Sequence, residues 1–268
     1  MQADLSIVIV NWNTAPLVLD CLRSLYTPPP AISIEVIVVD NGSSDDSAAR
    51  IEAQWPQVGL IRNPGNRGYA AANNQGIALA ASRHVLLLNS DTLMAPGALA
   101  GLVQFMDQHP EAAACSPRLL DSEGRAQEFA FGCDPTPLYL VRRRLTAVFG
   151  RSLHDWETGR VQSVDWVSGA CLIARRAAIE QTGPLDEAMF MYFEDNDWCL
   201  RFRERGWKVY YDPEISITHL GGQSVQRSAQ ASHAYRASLR HFYRKHYGRL
   251  AQAWLGAALP LYRGLAKR

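Results

Sequence analysis

Val85-Leu86-Leu87-Leu88-Asn89-Ser90-Asp91 is the stretch whose reading decides the fold. Four apolar residues run without alternation and end abruptly in three oxygen-bearing side chains. A continuous apolar run of this length suits a strand covered on both faces, as in a mostly parallel sheet. Two more runs read the same way: residues 5–10 (Leu-Ser-Ile-Val-Ile-Val) and residues 34–39 (Ile-Glu-Val-Ile-Val-Val). Between them lie helical patterns. Thr14-Ala15-Pro16 opens one, with Val18, Cys21, Leu22 and Leu25 on one face. Ser43-Ser44-Asp45-Asp46 opens a second before Ala48 and Ile51, and the Ala-rich residues 70–81 form a third. Strand–helix–strand repeats imply right-handed crossovers and an α/β, Rossmann-like half.

Farther along, the pattern loosens. Residues 121–163 carry Gly, Pro and Arg clusters and read as loops on an acceptor side. Residues 164–174 read as a strand, 194–205 as a helix, and 207–211 as a short strand stopped by Asp212-Pro213. Beyond Gly222 the chain reads as helical and basic. The expected organisation is a catalytic domain over 1–222, split into a nucleotide-binding half (1–110) and an acceptor half (111–222), followed by basic amphipathic helices over 223–268.

Bulk properties exclude several classes. The chain has 268 residues, 47% of them hydrophobic, with no repeat or low-complexity tract, which excludes fibrous and disordered readings. No secretory signal pattern is visible, and five scattered cysteines (Cys21, Cys115, Cys133, Cys171, Cys199) without a CxxC pair read as reduced thiols in a cytoplasmic protein. The net charge of +1 hides an asymmetry: no Asp or Glu follows Glu214, and nine Lys or Arg lie between Arg227 and Arg268. The acidic body argues against nucleic acid as a partner.

Five clusters can carry chemistry. In open α/β sheets, ligands bind beyond the carboxyl ends of strands. Asp40, in Val-Asp40-Asn41-Gly42-Ser43, sits at such an end and can accept from a base or ribose; it can equally close a turn. Arg62-Asn63-Pro64-Gly65-Asn66-Arg67-Gly68-Tyr69, followed by Asn73 and Asn74, offers close backbone approach and guanidinium groups for a diphosphate, although it is neither a GxGxxG fingerprint nor a P-loop. Alternation puts Asn89 and Asp91 on one side of their strand end, where a hard cation can bind with substrate phosphates. In Glu194-Asp195-Asn196-Asp197, Asp195 shares a helix face with Cys199 and Phe202 and so points inward, while Glu194 shares its face with Trp198, Arg201 and Arg205. Partial burial would raise the Asp195 pKa and suit it to general-base work. His219, in Thr-His219-Leu-Gly-Gly, is a metal ligand, a diphosphate contact or simply structural.

The order of these blocks resembles a family 2 glycosyltransferase of the GT-A fold over roughly residues 5–222, closest to bacterial rhamnosyltransferase-like members. The blocks Gly169-Ala170-Cys171-Leu172, Met191-Tyr192-Phe193-Glu194-Asp195 and Gly206-Trp207-Lys208-Val209 carry the latter likeness. The resemblance implies an inverting transfer from a dTDP- or UDP-sugar, rhamnose being the suggested sugar, to a saccharide or polyprenyl-diphosphate-linked acceptor in cell-surface polysaccharide assembly. It makes Asp195 the base and Asp91, with His219, the Mn²⁺ or Mg²⁺ site. Asn11, Asp40, Arg62, Asn66, Gly68, Asn74, Asn89 and Ser90 fall on the donor side, and Trp166, Gly169, Glu194 and Asp197 on the acceptor side. Asn89 departs from the Asp common at the first position of the DXD motif, so a cation is expected to bind weakly without the nucleotide.

Arg236, Arg240 and Arg244 recur every four residues, and Leu239, Phe242, Tyr243, His246 and Tyr247 form an apolar face. The stretch 250–261 is too short to span a bilayer, so 227–268 reads as an interfacial element for an anionic membrane, with the protein peripheral on the inner face of the plasma membrane. A helix packed on the body is the competing reading. Against the enzyme stand a nucleotidyltransferase, which would want a basic Gly-rich loop where Asn11-Trp12-Asn13-Thr14 stands, and a non-catalytic nucleotide- or carbohydrate-binding module.

Overall fold

The computed structural model describes residues 3–221 and 229–259. Gly222, Arg227 and the stretch 260–268 of the expected tail lie outside the described residues. The first half alternates as its sequence dictates: β1 (Leu5–Asn11), α1 (Ala15–Tyr26), β2 (Ile34–Asp40), α2 (Ser47–Gln54), β3 (Gly59–Arg62), α3 (Tyr69–Leu79) and β4 (His84–Asn89). Then follow β5 (Thr92–Leu93), α4 (Ala98–Gln108), β6 (Ala112–Leu120), β7 (Phe131–Gly132), α5 (Pro137–Val148), β8 (Gln162–Ser163), β9 (Trp166–Val167), β10 (Cys171–Arg175), α6 (Arg176–Thr182), α7 (Glu194–Glu204), β11 (Lys208–His219), α8 (Ala229–His246) and α9 (Arg249–Ala258).

One nine-stranded sheet runs through the molecule in the order β3-β2-β1-β4-β10-β6-β11-β5, with β8 on β11. The first four strands are parallel, and β10 runs antiparallel between β4 and β6. Leu5, Ile7, Val8, Ile9 and Val85–Leu88 are buried because helices cover both faces. The parallel strands β1, β2 and β4 end together, since Asn11 stands opposite Asp40 and Val10 opposite Asn89. That shared edge is where the candidate site lies.

Four expectations need correction. Residues 121–163 are not all loop: Thr136 accepts from the Tyr139 N–H at 3.1 Å and Pro137 opens α5. Residues 164–174 are not one strand: β9 pairs with β7 in a separate two-stranded sheet, and the chain turns at Ser168–Ala170 before β10 enters the main sheet. The strand at 207–211 continues to His219, because a register shift between Asp212 and Ser216 absorbs Pro213, which has no N–H for a ladder. Asp45 and Asp46 precede α2 rather than forming its first turn, with Asp45 Oδ1 accepting from the Ser47 N–H at 3.1 Å. The Asp45 carboxylate also accepts from the Ala15 N–H at 3.0 Å and so caps the amino end of α1.

The aromatic face expected to meet lipid is buried on the body. Leu239, Phe242 and Tyr243 of α8 pack with Leu140, Met189 and Phe193, and α9 adds Leu255. The arginines Arg236, Arg240 and Arg244 face outward.

Candidate active site

Three hydrogen-bonded groups converge at the strand ends. The first knits the loops after β1, β2 and β4. The Asn11 amide donates to Asp40 Oδ1 at 2.9 Å and to Ser43 Oγ at 3.1 Å, and the Ser43 N–H reaches Asp40 Oδ2 at 3.2 Å. Thr14 donates to Asn11 Oδ1 and meets Ser90 Oγ at 3.0 Å. Asn11, Asp40 and Ser90, expected separately on the donor side, thus form one buried network through Thr14 and Ser43, two residues absent from the expected site. The neighbouring loop is held by Asn41, whose amide donates to Asn66 Oδ1 and Gly68 O while its oxygen accepts from Asn63 and the Arg67 N–H. Gly68 is obligatory: its φ is +90°, and a Cβ there would lie 2.7 Å from Phe190 O.

The second group is Asn89, Asp91 and His219. Asp91 is buried, 2% exposed, and its backbone carbonyl accepts from the Leu220 N–H, which brings the end of β11 against the strand-end turn. Gln127 grips His219 twice, donating to its carbonyl at 2.5 Å and placing Oε1 2.7 Å from Nδ1. The first bond fixes the amide orientation, so the second must be an Nδ1–H donating to oxygen. Nε2 then lies 3.3 Å from Asp91 Oδ1 and 3.3 Å from the Asn89 amide nitrogen. Asp91 Oδ1 is buried with no hydrogen-bond partner, and Nε2 is the ring atom beside it. A divalent cation satisfies both. The donor set fits such an ion only in part, since no cluster of three or more His, Cys, Asp or Glu occurs among the described residues. Substrate oxygens must complete the shell.

The third group surrounds Asp195. The Gly169 N–H donates to Asp195 Oδ2 at 3.0 Å, and the Tyr69 hydroxyl donates to Gly169 O at 2.8 Å. The next carbonyl, Ala170 O, accepts from the Asn89 N–H at 2.9 Å. The break between β9 and β10 therefore ties Asp195 to the strand end bearing Asn89 and Asp91. Burial pushes the Tyr69 phenol well up, and the Glu194, Asp195 and Asp91 carboxylates push it further, which shows all three within electrostatic reach of one ring. Burial also raises Asp195 above the usual carboxylate range, against the backbone donors of Gly169 and Asn196.

The helix-face argument that singled out Asp195 does not hold. Both faces of α7 are buried: Trp198 as well as Cys199 and Phe202 is inaccessible, and Glu194 is only 5% exposed. Burial first, and Asp195 second, raise Glu194 well above its ordinary value, and its Oε2 has no hydrogen-bond partner. Burial thus disfavours charge on Glu194 more strongly than on Asp195, which is half-buried and held by an N–H. Trp166 lies against Gly132, with its indole N–H donating to Cys133 O at 2.9 Å, and a reoriented Asn196 amide would also accept from that N–H.

Three expected residues are engaged elsewhere. Arg62 stands in register with Asp40 but turns its guanidinium to Glu52 at 2.6 Å; so exposed a pair is worth about 0–1 kcal/mol and does not lock the side chain away. Asn74 clamps the loop at Leu185 through its carbonyl and N–H and also reaches Glu187. Asp197 lies under α8, bound by Arg201, Lys245 and His246 at 2.7, 2.8 and 2.6 Å.

Comparison with known proteins bears on the family and the fold. The family model described as Glycosyl transferase family 2 matches residues 6–145, and that of Glycosyl transferase family group 2 matches residues 84–266. The N-acetylglucosaminyl-diphospho-decaprenol L-rhamnosyltransferase of Mycobacterium tuberculosis is 30% identical over 252 residues, covering 85% of this chain and 80% of that protein. The low-salt glycan biosynthesis hexosyltransferase Agl10 of Haloferax volcanii is 31% identical over 226 residues, covering 82% and 68%. In fold, the chain is similar to the mannosyltransferase PcManGT of Pyrobaculum calidifontis in complex with GDP-Man and Mn²⁺ (TM-score 0.59, 18% identity, 98% of this chain and 82% of that one). It is also similar to GalNAc-T7 with UDP, GalNAc and Mn²⁺ (TM-score 0.63, 16% identity, 89% and 47%).

Proposed function

The chain belongs to glycosyl transferase family 2 and has the GT-A fold, and on that footing we propose that it moves a sugar, with inversion, from a nucleoside diphosphate to a saccharide or lipid-linked saccharide. The observation that carries this reading is Asp195, held by the Gly169 N–H and tied through Ala170 to the strand end of Asn89 and Asp91. A base and a diphosphate site facing one space are what a single displacement needs.

Asp195 takes the proton from an acceptor hydroxyl. That oxygen attacks the anomeric carbon, the bond to the diphosphate oxygen breaks, and the nucleoside diphosphate leaves. Asp40, oriented by Asn11 and Ser43, receives the base or ribose. The backbone around Gly68 and the side chains of Asn66 and Asn89 line the donor path, and Arg62, freed from Glu52, can swing toward phosphate. Asp91 and His219 would hold Mn²⁺ or Mg²⁺, whose charge offsets that of the departing diphosphate. With the leaving oxygen stabilised in this way, no second carboxylate is required as an acid, unlike an inverting glycosidase. Glu194, whose burial disfavours its anion, limits the negative charge around the base.

The name of the mycobacterial relative supports rhamnose as the sugar and a polyprenyl-diphosphate-linked acceptor; dTDP or UDP is taken as the nucleotide. Such an acceptor brings the enzyme to a membrane, here taken as the cytoplasmic face. Among the described residues no helix is long and apolar enough to cross one. The outward arginines of α8 suit an anionic surface. Neither nucleotidyl transfer nor a non-catalytic module accounts for a buried base beside the strand-end carboxylate.

The test is a thermal-shift panel of dTDP-, UDP- and GDP-sugars with Mn²⁺ or Mg²⁺, followed by transfer assays of Asp195→Asn. The variant should bind the stabilising donor as the parent does and lose about 10²–10⁴-fold in kcat. Transfer at the parent rate would remove Asp195 as the base.

A further inference from the structure

The segment expected to be loop, α5, has an outward face unlike any other among the described residues. Eleven large apolar side chains are exposed among the described residues, and five of them lie on or directly after this one helix: Leu138, Val141, Leu145, Val148 and Phe149. Val148 and Phe149 are 72% and 77% exposed. At 3.6 residues per turn the five fall within about 100° of the helix circumference. The opposite face is already in use, with Leu140 buried in the cluster beneath α8 and Arg143 lying 4.6 Å over the Phe129 ring. Arg142 borders the stripe on one side and Arg144 on the other, Arg151 follows the helix, and no Asp or Glu occurs between residues 137 and 151.

An exposed apolar stripe bordered by cations is the signature of a helix lying in a lipid–water interface. We infer that α5 is a docking surface for an anionic lipid bilayer, with Leu145, Val148 and Phe149 entering the headgroup–acyl boundary and Arg142 meeting lipid phosphates. Charge decides against a second copy of the chain as occupant. A twofold contact through this stripe would set the arginines of one copy against those of the other, with no carboxylate on either helix to offset them. The surface differs from the basic stripe of α8, whose own apolar face is spent on the body. The inference rests on the proposed function only in supposing that the chain works at a membrane; donor, base and metal play no part.

The test is co-sedimentation of the full chain with phosphatidylcholine vesicles, with and without phosphatidylglycerol, compared with L145E/F149E and R142E. The parent should bind the anionic vesicles and release from them as salt rises. L145E/F149E should bind at least about tenfold more weakly, and R142E several-fold more weakly. Both changes lie on solvent, so the thermal midpoint should hold. No binding to anionic vesicles, or equal binding by L145E/F149E, overturns the inference. So does a parent dimer that L145E/F149E converts to monomer without any change in lipid binding. Transfer to a soluble acceptor separates the two readings: vesicle binding without transfer would count against the proposed function and leave the docking surface standing.

Discussion

Gln127 shows how much of the candidate site hangs on a single amide. Nothing in its sequence surroundings marks it, since it stands in the irregular stretch before α5. Yet its two bonds to His219 decide which ring nitrogen carries the proton and leave Nε2 aimed at Asp91. Partners of this kind typically tune metal affinity by 10–100-fold. Gln127→Ala should therefore weaken Mn²⁺ binding to the enzyme–nucleotide complex by about that factor. Nucleotide affinity without metal should stay near the parent value, and titration by electron paramagnetic resonance reads both. The local signals were otherwise good guides: Asp40, Asn89, Asp91 and Asp195 stand at strand and helix ends because the apolar runs before them are unambiguous. Asp197 was misjudged because its partners Lys245 and His246 lie almost 50 residues away, where no local spacing can show them.

At the scale of elements, α8 and the start of α7 act as one unit. Tyr192 and Phe193 adopt φ of +70° and +68°, a conformation costing about 1–3 kcal/mol at each non-glycine residue. Partners on both sides offset it. Tyr69 N–H donates to Phe190 O at 2.7 Å and Ser238 to Met191 O at 2.9 Å. Phe193 packs edge-on against Tyr235 at 5.0 Å and beside Phe242 at 5.9 Å, contacts worth about 0.5–1.5 kcal/mol each. Asp197 binds α8 beneath them. Asp197→Asn should cost about 3–5 kcal/mol, as removing one partner of a buried ion pair does, and should lower kcat while leaving donor affinity near the parent value. Denaturant unfolding and steady-state kinetics check the two halves of that statement. The sequence revealed α8 as amphipathic but not which surface took its apolar face. The missed α5 was in reach, since Thr136-Pro137 is the same signal as Thr14-Ala15-Pro16.

Across the whole molecule, acid should undo the attachment of the C-terminal helices first. Asp186 feels burial, which raises its pKa, but Lys245 and His241 of α8 more than offset it and bring it from 3.8 to about 2. Asp197 is likewise lowered overall, burial being outweighed by His246, Arg201 and Lys245. A carboxylate depressed in the folded state contributes its full stability above its unfolded pKa and loses it as pH falls through the folded one. The contribution is thus complete above about pH 4 and fades toward pH 2. Hydrogen exchange in α8 should accelerate in that window before it does in β1, whose own residues include no titrating group.

The sheet carries a mechanical meaning of its own. Because β10 is stitched to β4 on one side and β6 on the other, the strands before and after residue 110 share one continuous sheet without a hinge. Substrates cannot be enclosed by one half folding over the other. Ordering them then falls to the strand-end loops, so kcat is expected to follow loop motion and product escape, which its dependence on solvent viscosity would read.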